Sequence, residues 1–585
     1  MSSPIFNIKS YYLHNLLNDI ETGIIALPEL QRPFVWNNTK VRDLFDSLYK
    51  GLPIGYLLLW EVATEEKYKN IGYRVDKKRD PRFLVIDGQQ RLTSLYAVIK
   101  NQEVYDEKFR TRKIKVSFNP FEAKFEIFNA AIAKDINWIP DISELFQTTS
   151  SHNFINSFIN KIKQKRELSQ ENEDKVSNNI SRLYGITGYP FSVLELSPEL
   201  DVEQVADVFV RINSRGESLN QSDFILTLMS VYWDEGRKEL ETFCENAKKM
   251  PEDNKPSSFN HITTPIPAQI LRTIVGYAFF RGRLKYAYLT LQGKDLEDRH
   301  SGLKDDLREQ NFQKLKEAQA LALDLTNWHD FIKTIKSAGF VNPWLISSKT
   351  AFFVTYAIYL LGRKHNLDYR ALEKIVRKWF VFSVLTQRYT GSPESQIEQD
   401  LALFKKGDVS IAEALDEIIN TQITPDYWGI TLPQSLDSSS TTNNVYLVYL
   451  ANLIFNDTKV FLSDIKVKDV LSAEGVNYKK SPVDIHHVFP KNYLHKIGLT
   501  SVKDTNQVAN FVYLEYKDNI KISDKKPADY WKDILANCYI KDSEMSKMFQ
   551  MQAIPENFYE LEYPDFLKKR RILMVKAIQN YFRKL

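Results

Sequence analysis

At 585 residues the chain is too long for one hydrophobic core, so several domains are expected. Its 43% hydrophobic and 13% aromatic content suits packed globular domains, and 78 basic against 74 acidic residues leave a net charge of +4 that neither demands nor excludes nucleic acid. Cys244 and Cys538 have no metal-ligand spacing, nothing suggests a disulfide framework, and a reducing cytoplasm fits best. The opening MSSPIFNIKS lacks the basic and apolar regions of a signal peptide. The longest apolar run, Ala351 to Gly362, is shorter than the roughly 20 residues that span a bilayer. It reads as a buried core helix, and no membrane partner is expected.

In chain order, the first 230 residues read as mixed α/β. Asn38 is placed as the cap of a helix whose Val41, Leu44, Phe45 and Leu48 share one face, and Gly51 stops it. Tyr56 to Trp60 and Phe83 to Ile86 are short apolar runs, read as strands. The second ends in the Asp87-Gly88 turn, ahead of a helix with Leu92, Leu95, Tyr96 and Ile99 on one face. Alternation at Ile114, Val116 and Phe118, then at Phe125 and Ile127, predicts a hairpin about Asn119-Pro120. Residues 149–181 are polar and charged, and read as a loosely packed helical insertion or a mobile loop. A strand is expected over Phe191 to Leu196. Asp201 and Gln204 then form a capping-box pattern ahead of Val205, Val208, Phe209 and Ile212.

From Tyr232 to Trp428 the pattern is helical almost throughout. Asp437 to Asn444 (DSSSTTNN) is the clearest linker candidate, and no internal repeat is found. The expected organisation is α+β and multidomain. An α/β domain covers residues 1–231, an all-α bridging region 232–436, and a last domain 437–585.

The strongest chemical signal is Asp484-Ile485-His486-His487-Val488-Phe489-Pro490, followed by Asn510 and Asn519. Phosphodiester hydrolysis needs a base to deprotonate water, a cation to neutralise charge, and a group that orients the base. Adjacent residues on an extended segment face opposite ways, and a bend after them can aim one at metal and one at water. A hard cation such as Mg²⁺ takes carboxylate or amide oxygen. A zinc site using His486 and His495 is the competing reading, weakened by the absence of cysteine nearby.

This stretch resembles the HNH, or His-Me finger, nucleases, which build a ββα-metal unit around one divalent ion. The resemblance implies that His487 is the catalytic base and His486 a metal ligand, with Pro490 at the family's proline position. Asn510 matches the central asparagine that fixes the loop, and counts with His487 in the catalytic set. Asn519 matches the last ligand position, and Asp484 is a further ligand or orienter. Lys491 is placed to meet a phosphate. The final stretch, Tyr563 to Leu585, carries Lys568, Lys569, Arg570, Arg571, Lys576, Arg583 and Lys584 against Asp565. It reads either as a DNA-tracking patch or as a solvated helix face.

Three further motifs lie near the N-terminus. They are Gln31-Arg32-Pro33-Phe34-Val35-Trp36, then Asp87-Gly88-Gln89-Gln90-Arg91-Leu92-Thr93-Ser94-Leu95, and Arg211 to Leu219 (RINSRGESL). In the second, a strand-to-helix turn offers a helix N-terminus to phosphate. Gly88 allows close approach, Gln89 and Gln90 supply polar heads, Arg91 a clamp and Thr93 a hydroxyl. No Walker-type phosphate loop is present.

Together these motifs look like the N-terminal domain of the GmrSD-type restriction endonucleases, related in fold to ParB and sulfiredoxin. Gln387 to Ser392 (QRYTGS) also looks like a segment of that family. The resemblance implies a ParB/sulfiredoxin-like domain that binds or hydrolyses an NTP (GTP, ATP or CTP) through Gln31, Arg32, Asp87, Gly88, Gln89, Gln90, Arg91 and Thr93. That domain would regulate a C-terminal HNH nuclease dependent on Mg²⁺ or another divalent cation. DNA is the expected partner, modified phage DNA included, and assembly into a homo-oligomer stays open. The expected function is a cytoplasmic, modification-dependent endonuclease of antiviral defence. The alternative is a nucleotide-switched DNA-binding adaptor with an inactive nuclease domain. Action on RNA is a third reading, since the hydrolytic chemistry does not choose the sugar.

Overall fold

The computed structural model describes residues 5–28, 36–62, 68–69, 81–105, 111–148, 150–200, 204–205, 208, 221–252, 255–296, 304–365, 367–405, 411–473, 483–515, 518, 522–537 and 541–585. The chain is α+β, mostly helical, and divides into two compact units, Met1–Arg237 and Lys238–Leu585. Among the described residues no helix is long and apolar enough to cross a membrane.

The first unit is built on a mixed six-stranded sheet. Its strands are β1 (Phe6–Tyr12), β2 (Ile25–Pro28), β3 (Leu57–Glu61), β4 (Tyr68–Lys69), β5 (Phe83–Asp87) and, after four shorter strands, β10 (Pro190–Leu196). They lie in the order β1-β10-β3-β5-β2-β4. The β10–β3 and β5–β2 pairs are parallel, and the other pairs antiparallel. The apolar runs of β3 and β5 exist because both faces are covered. Leu57, Leu59, Phe83 and Val85 enter the larger core, while Leu58, Trp60, Leu84 and Ile86 enter a smaller core on the opposite face.

The larger core is closed by α1 (Leu13–Thr22), α2 (Asn38–Lys50) and α3 (Gln89–Ile99). Gly51 ends α2 in the left-handed region as expected, but the cap is Asn37, not Asn38. Asn37 keeps extended backbone angles, and its side chain accepts from Lys40 N. Two small ladders follow, β6 (Glu103–Tyr105) with β7 (Thr111–Lys113), and β8 (Val116–Asn119) with β9 (Lys124–Ile127). The second is the hairpin expected about Asn119, whose Oδ1 accepts from the amides of Phe121 and Glu122. Residues 149–181 are not a loose insertion. They form the helices Ser151–Lys163 and Gln170–Gly185, which bury Ile155, Phe158, Ile159, Ile162, Val176, Ile180 and Leu183 in the larger core. The high polarity of this stretch belongs to its outer face.

Among its described residues the second unit is helical except for one ladder. The helix Lys349–Lys364 buries every residue from Ala351 to Gly362, as the apolar run predicted. The segment read as a linker is bonded on several sides. Arg571 pairs with Asp437, Val508 N donates to Ser438 O, and Asn443 caps the helix Asn444–Phe455. The ladder consists of β11 (Val483–His487) antiparallel to β12 (Phe511–Glu515), with His486 opposite Val512 and His487 opposite Phe511. Between them lie the short helices Lys491–Lys496 and Val502–Thr505. The long helix Tyr563–Lys584 packs against the turn that opens β12.

Candidate functional site

In the first unit, β5 delivers Asp87 to the start of α3. Gly88 sits at φ +93°, and a Cβ there would lie 2.3 Å from Leu57 Cδ2. Glycine is thus required by the turn and by packing on β3. Gln89 and Gln90 are almost wholly buried. Gln90 Oε1 accepts from Trp36 N at 3.3 Å, and Arg112 Nη2 donates to Trp36 O at 2.7 Å, so both backbone groups of Trp36 are held beside the first turn of α3.

Arg91 donates from Nη1 to Ile54 O at 2.6 Å and from Nη2 to Asp87 Oδ2 at 3.3 Å. In this arrangement it braces residues 54–57 against the helix start. Burial lowers its pKa, opposed by the charge of Asp87. Thr93 Oγ1 is buried without a hydrogen-bond partner among the described residues. Gln31, Arg32 and the third motif, Arg211 to Leu219, lie outside the described residues.

In the second unit, β11 carries positions 484 and 486 on one face and 485 and 487 on the other. His486 is buried, at 7% exposure. His487 is half-buried. Its ring stands edge-on to Phe511, with centroids 5.1 Å apart, and its Nε2 lies 3.1 Å from Asn506 Oδ1. Burial lowers the His487 pKa below the ordinary histidine value. The Asn506 bond opposes that shift and the charge of Lys491 adds to it. Burial thus favours the neutral ring that a base needs.

The chain turns just after His487, and each backbone group of that turn is held. Val488 N donates to Asn510 O at 2.8 Å, and Val488 O accepts from Tyr530 OH at 2.8 Å. Phe489 N donates to Asn510 Oδ1 at 2.8 Å, while Phe489 O accepts from Asn510 Nδ2 at 3.0 Å. Asn510 is fully buried, so it holds the loop and does not reach solvent.

Residues 13–230 match the model of the GmrSD restriction endonuclease N-terminal domain. The N-terminal unit is thus similar to the N-terminal domain of the GmrSD restriction endonucleases. Over 566 residues the chain is also 26% identical to the uncharacterized protein MJ0686 of Methanocaldococcus jannaschii, an alignment covering 89% of this chain and 86% of that relative.

The structure joins some of the expected residues and leaves others open. Asp87, Gly88, Gln89, Gln90, Arg91 and Thr93 form one strand-to-helix turn. His486 and His487 end β11 on opposite faces, and Asn510 holds the turn that follows them. Asn519 lies outside the described residues, and of Asp484 only the backbone is described. Among the described residues no group of three or more His, Cys, Asp or Glu is gathered as a metal would need. His486, the one described ligand candidate, shares a strand face with position 484. The zinc alternative through His495 finds no such cluster.

Arg570 leaves the basic patch. It is fully buried, bonded to Ala509 O at 3.0 Å and Phe511 O at 2.7 Å. Arg571 is spent on Asp437 and Gln507, which leaves Lys568, Lys569, Lys576, Arg583 and Lys584 exposed. Sequence reasoning missed Asn506, Arg112 and Arg570 as site-building residues. Arg570 hid among basic neighbours, and only its apolar companions Phe566 and Met574 on the same helical face signalled burial.

Proposed function

We propose that this chain is a divalent-cation-dependent DNA endonuclease of the modification-dependent restriction type, governed by nucleotide in its GmrSD-type unit. The observation that carries the reading is His487. It is a half-buried imidazole at a strand end, with one nitrogen held by Asn506 and with its loop clamped by Asn510. Such a group takes a proton from water while its own position is fixed. His486, with Asp484 and Asn519, would hold the cation. When bound, the ion supplies charge neutralisation at the scissile phosphate and at the leaving oxygen. Lys491, close enough for its charge to act on His487, suits a neighbouring phosphate.

In the first unit, the α3 N-terminus and the Thr93 hydroxyl suit nucleotide phosphate, with Gln89, Gln90, Asp87 and Gly88 framing the turn and Arg91 bracing it. Gln31 and Arg32 belong to the same proposed site. GTP, ATP and CTP are the candidate ligands, and phage DNA, modified bases included, is the proposed substrate.

The test is a nicking assay on modified and unmodified DNA with Mg²⁺ and each nucleotide in turn, comparing the native chain with His487→Ala. Cleavage by the native chain and none by the folded variant is expected. Undiminished cleavage by His487→Ala rejects the assignment. Nucleotide-dependent DNA binding with no cutting by either protein replaces it with the adaptor reading.

A further inference from the structure

The turn that precedes β12 is built more firmly than a connection needs. Ser501 caps the helix Val502–Thr505, accepting from Asp504 N at 3.1 Å. Thr505 is fully buried and donates to Ser501 O, and Gln507 Nε2 donates to Lys503 O at 2.8 Å. From outside the turn, Tyr563 OH donates to Asp504 O at 2.7 Å. Asn506 follows directly, its amide bonded to Val502 O at 3.0 Å. A side chain on so well-tethered a turn has little freedom. Among the described residues it makes one bond, to His487 Nε2 at 3.1 Å.

An amide oxygen only accepts. With Oδ1 facing the ring, Nε2 must carry the hydrogen, and Nδ1 keeps the lone pair. The Phe511 ring, edge-on to His487, resists rotation of the imidazole about its own axis. We infer that Asn506 is the positioning residue of the proposed nuclease site, fixing His487 as the Nε2–H tautomer so that Nδ1 is the nitrogen presented to the attacking water. Asn506 touches neither substrate nor ion in this role. It acts through His487 alone, and the inference rests on the endonuclease reading given above.

The test uses the full chain with ring-¹⁵N histidine, His487 being assigned by its loss in His487→Ala. In the native protein the long-range nitrogen–proton pattern of His487 should be that of the Nε2–H form. An Nδ1–H pattern there overturns the inference without recourse to any variant. Asn506→Leu keeps the bulk and removes the acceptor. It should mix the two tautomers, lowering kcat at least about tenfold while KM for DNA stays within about twofold. Asn506→Asp restores an acceptor. Assayed at pH 8.5, it should recover the Nε2–H pattern and bring kcat to within about threefold of native. If Asn506→Leu leaves tautomer and kcat unchanged, the assignment fails. If native protein and variants show the expected tautomers but none cuts DNA, the endonuclease reading fails and the positioning role stands as a property of the imidazole alone.

Discussion

Replacing Asn510 by alanine should release the loop that carries His487. One amide serves both backbone groups of Phe489, accepting from its N–H at 2.8 Å and donating to its carbonyl at 3.0 Å, in a place with no solvent access. Alanine leaves two buried polar groups unsatisfied at about 1–3 kcal/mol each, so local stability should fall by about 2–6 kcal/mol. Phe489 still packs on Phe566 and Tyr563, which confines the damage to the turn rather than the whole unit. Hydrogen exchange reads this directly. About 2 kcal/mol corresponds to roughly thirtyfold faster exchange at the Phe489 amide, and the larger loss to much more. Asn510→Asp tests the same geometry at nearly constant shape. It keeps an acceptor for Phe489 N but sets a second carboxylate oxygen against Phe489 O, so it should be as harmful as alanine at neutral pH. Nicking activity should fall with exchange protection in both variants. If Asn510→Ala exchanges within about threefold of native at Phe489 and cuts DNA as fast, this amide does not brace the loop.

Arg570→Met should cost about 1–4 kcal/mol. Two carbonyls lose charge-assisted bonds, partly offset by removing a buried guanidinium, and an unchanged melting temperature would contradict the bracing role. Gly88→Ala meets both φ +93° and a 2.3 Å contact with Leu57, so about 1–3 kcal/mol of strain should appear in thermal melts, together with weaker nucleotide binding. Identical melts would show that β3 yields at no cost. Chelation by EDTA should abolish cleavage and added Mg²⁺ should restore it; cleavage in excess EDTA would remove the metal from the mechanism.

The sequence made the sheet legible where burial is two-sided. Tyr56 to Trp60 and Phe83 to Ile86 are apolar at every position because each face of β3 and β5 meets its own core. It misled at residues 149–181, where composition spoke of polarity while the period spoke of a helix. Ile155, Phe158, Ile159 and Ile162 lie three and four apart, and that spacing, not the count of charges, decides burial. The Asn37 cap was lost to its neighbour because two adjacent asparagines satisfy the same pattern, and the backbone angle that separates them is not written in either. At the candidate site, His486, His487 and Asn510 were readable from their offsets along a single stretch. Asn506 was not, since a four-residue displacement from Asn510 carries no meaning until the turn between them is folded. Arg112 stands 76 residues from the Trp36 carbonyl it holds, a pairing that no local pattern announces.

The burial of Arg570 follows from how β12 begins. Val508–Asn510 make one 3-10 turn before β12, and through it Ala509 O and Phe511 O both reach Arg570 while Asn510 O faces β11. Asn510 O meets Val488 N, across the ladder from which His487 projects. The outer pair would ordinarily meet the amides of a further strand, but the helix Tyr563–Lys584 lies there, and a helix has no backbone donors to spare along its side. A guanidinium solves this, because its fork reaches both carbonyls from one Cα, with Tyr449, Tyr446 and Tyr530 near enough to act on its charge. An ammonium at the same place is a single point and could not span both acceptors. Arg570 therefore substitutes for a missing strand. Residue 510 is held on one side by that substitute and on the other by Val488, and its amide can then be aimed at Phe489 with nothing left to adjust. Position passes from the last helix to the turn after His487 through the Arg570 guanidinium and the Asn510 amide, so this arginine of the basic run is spent on backbone and cannot touch DNA.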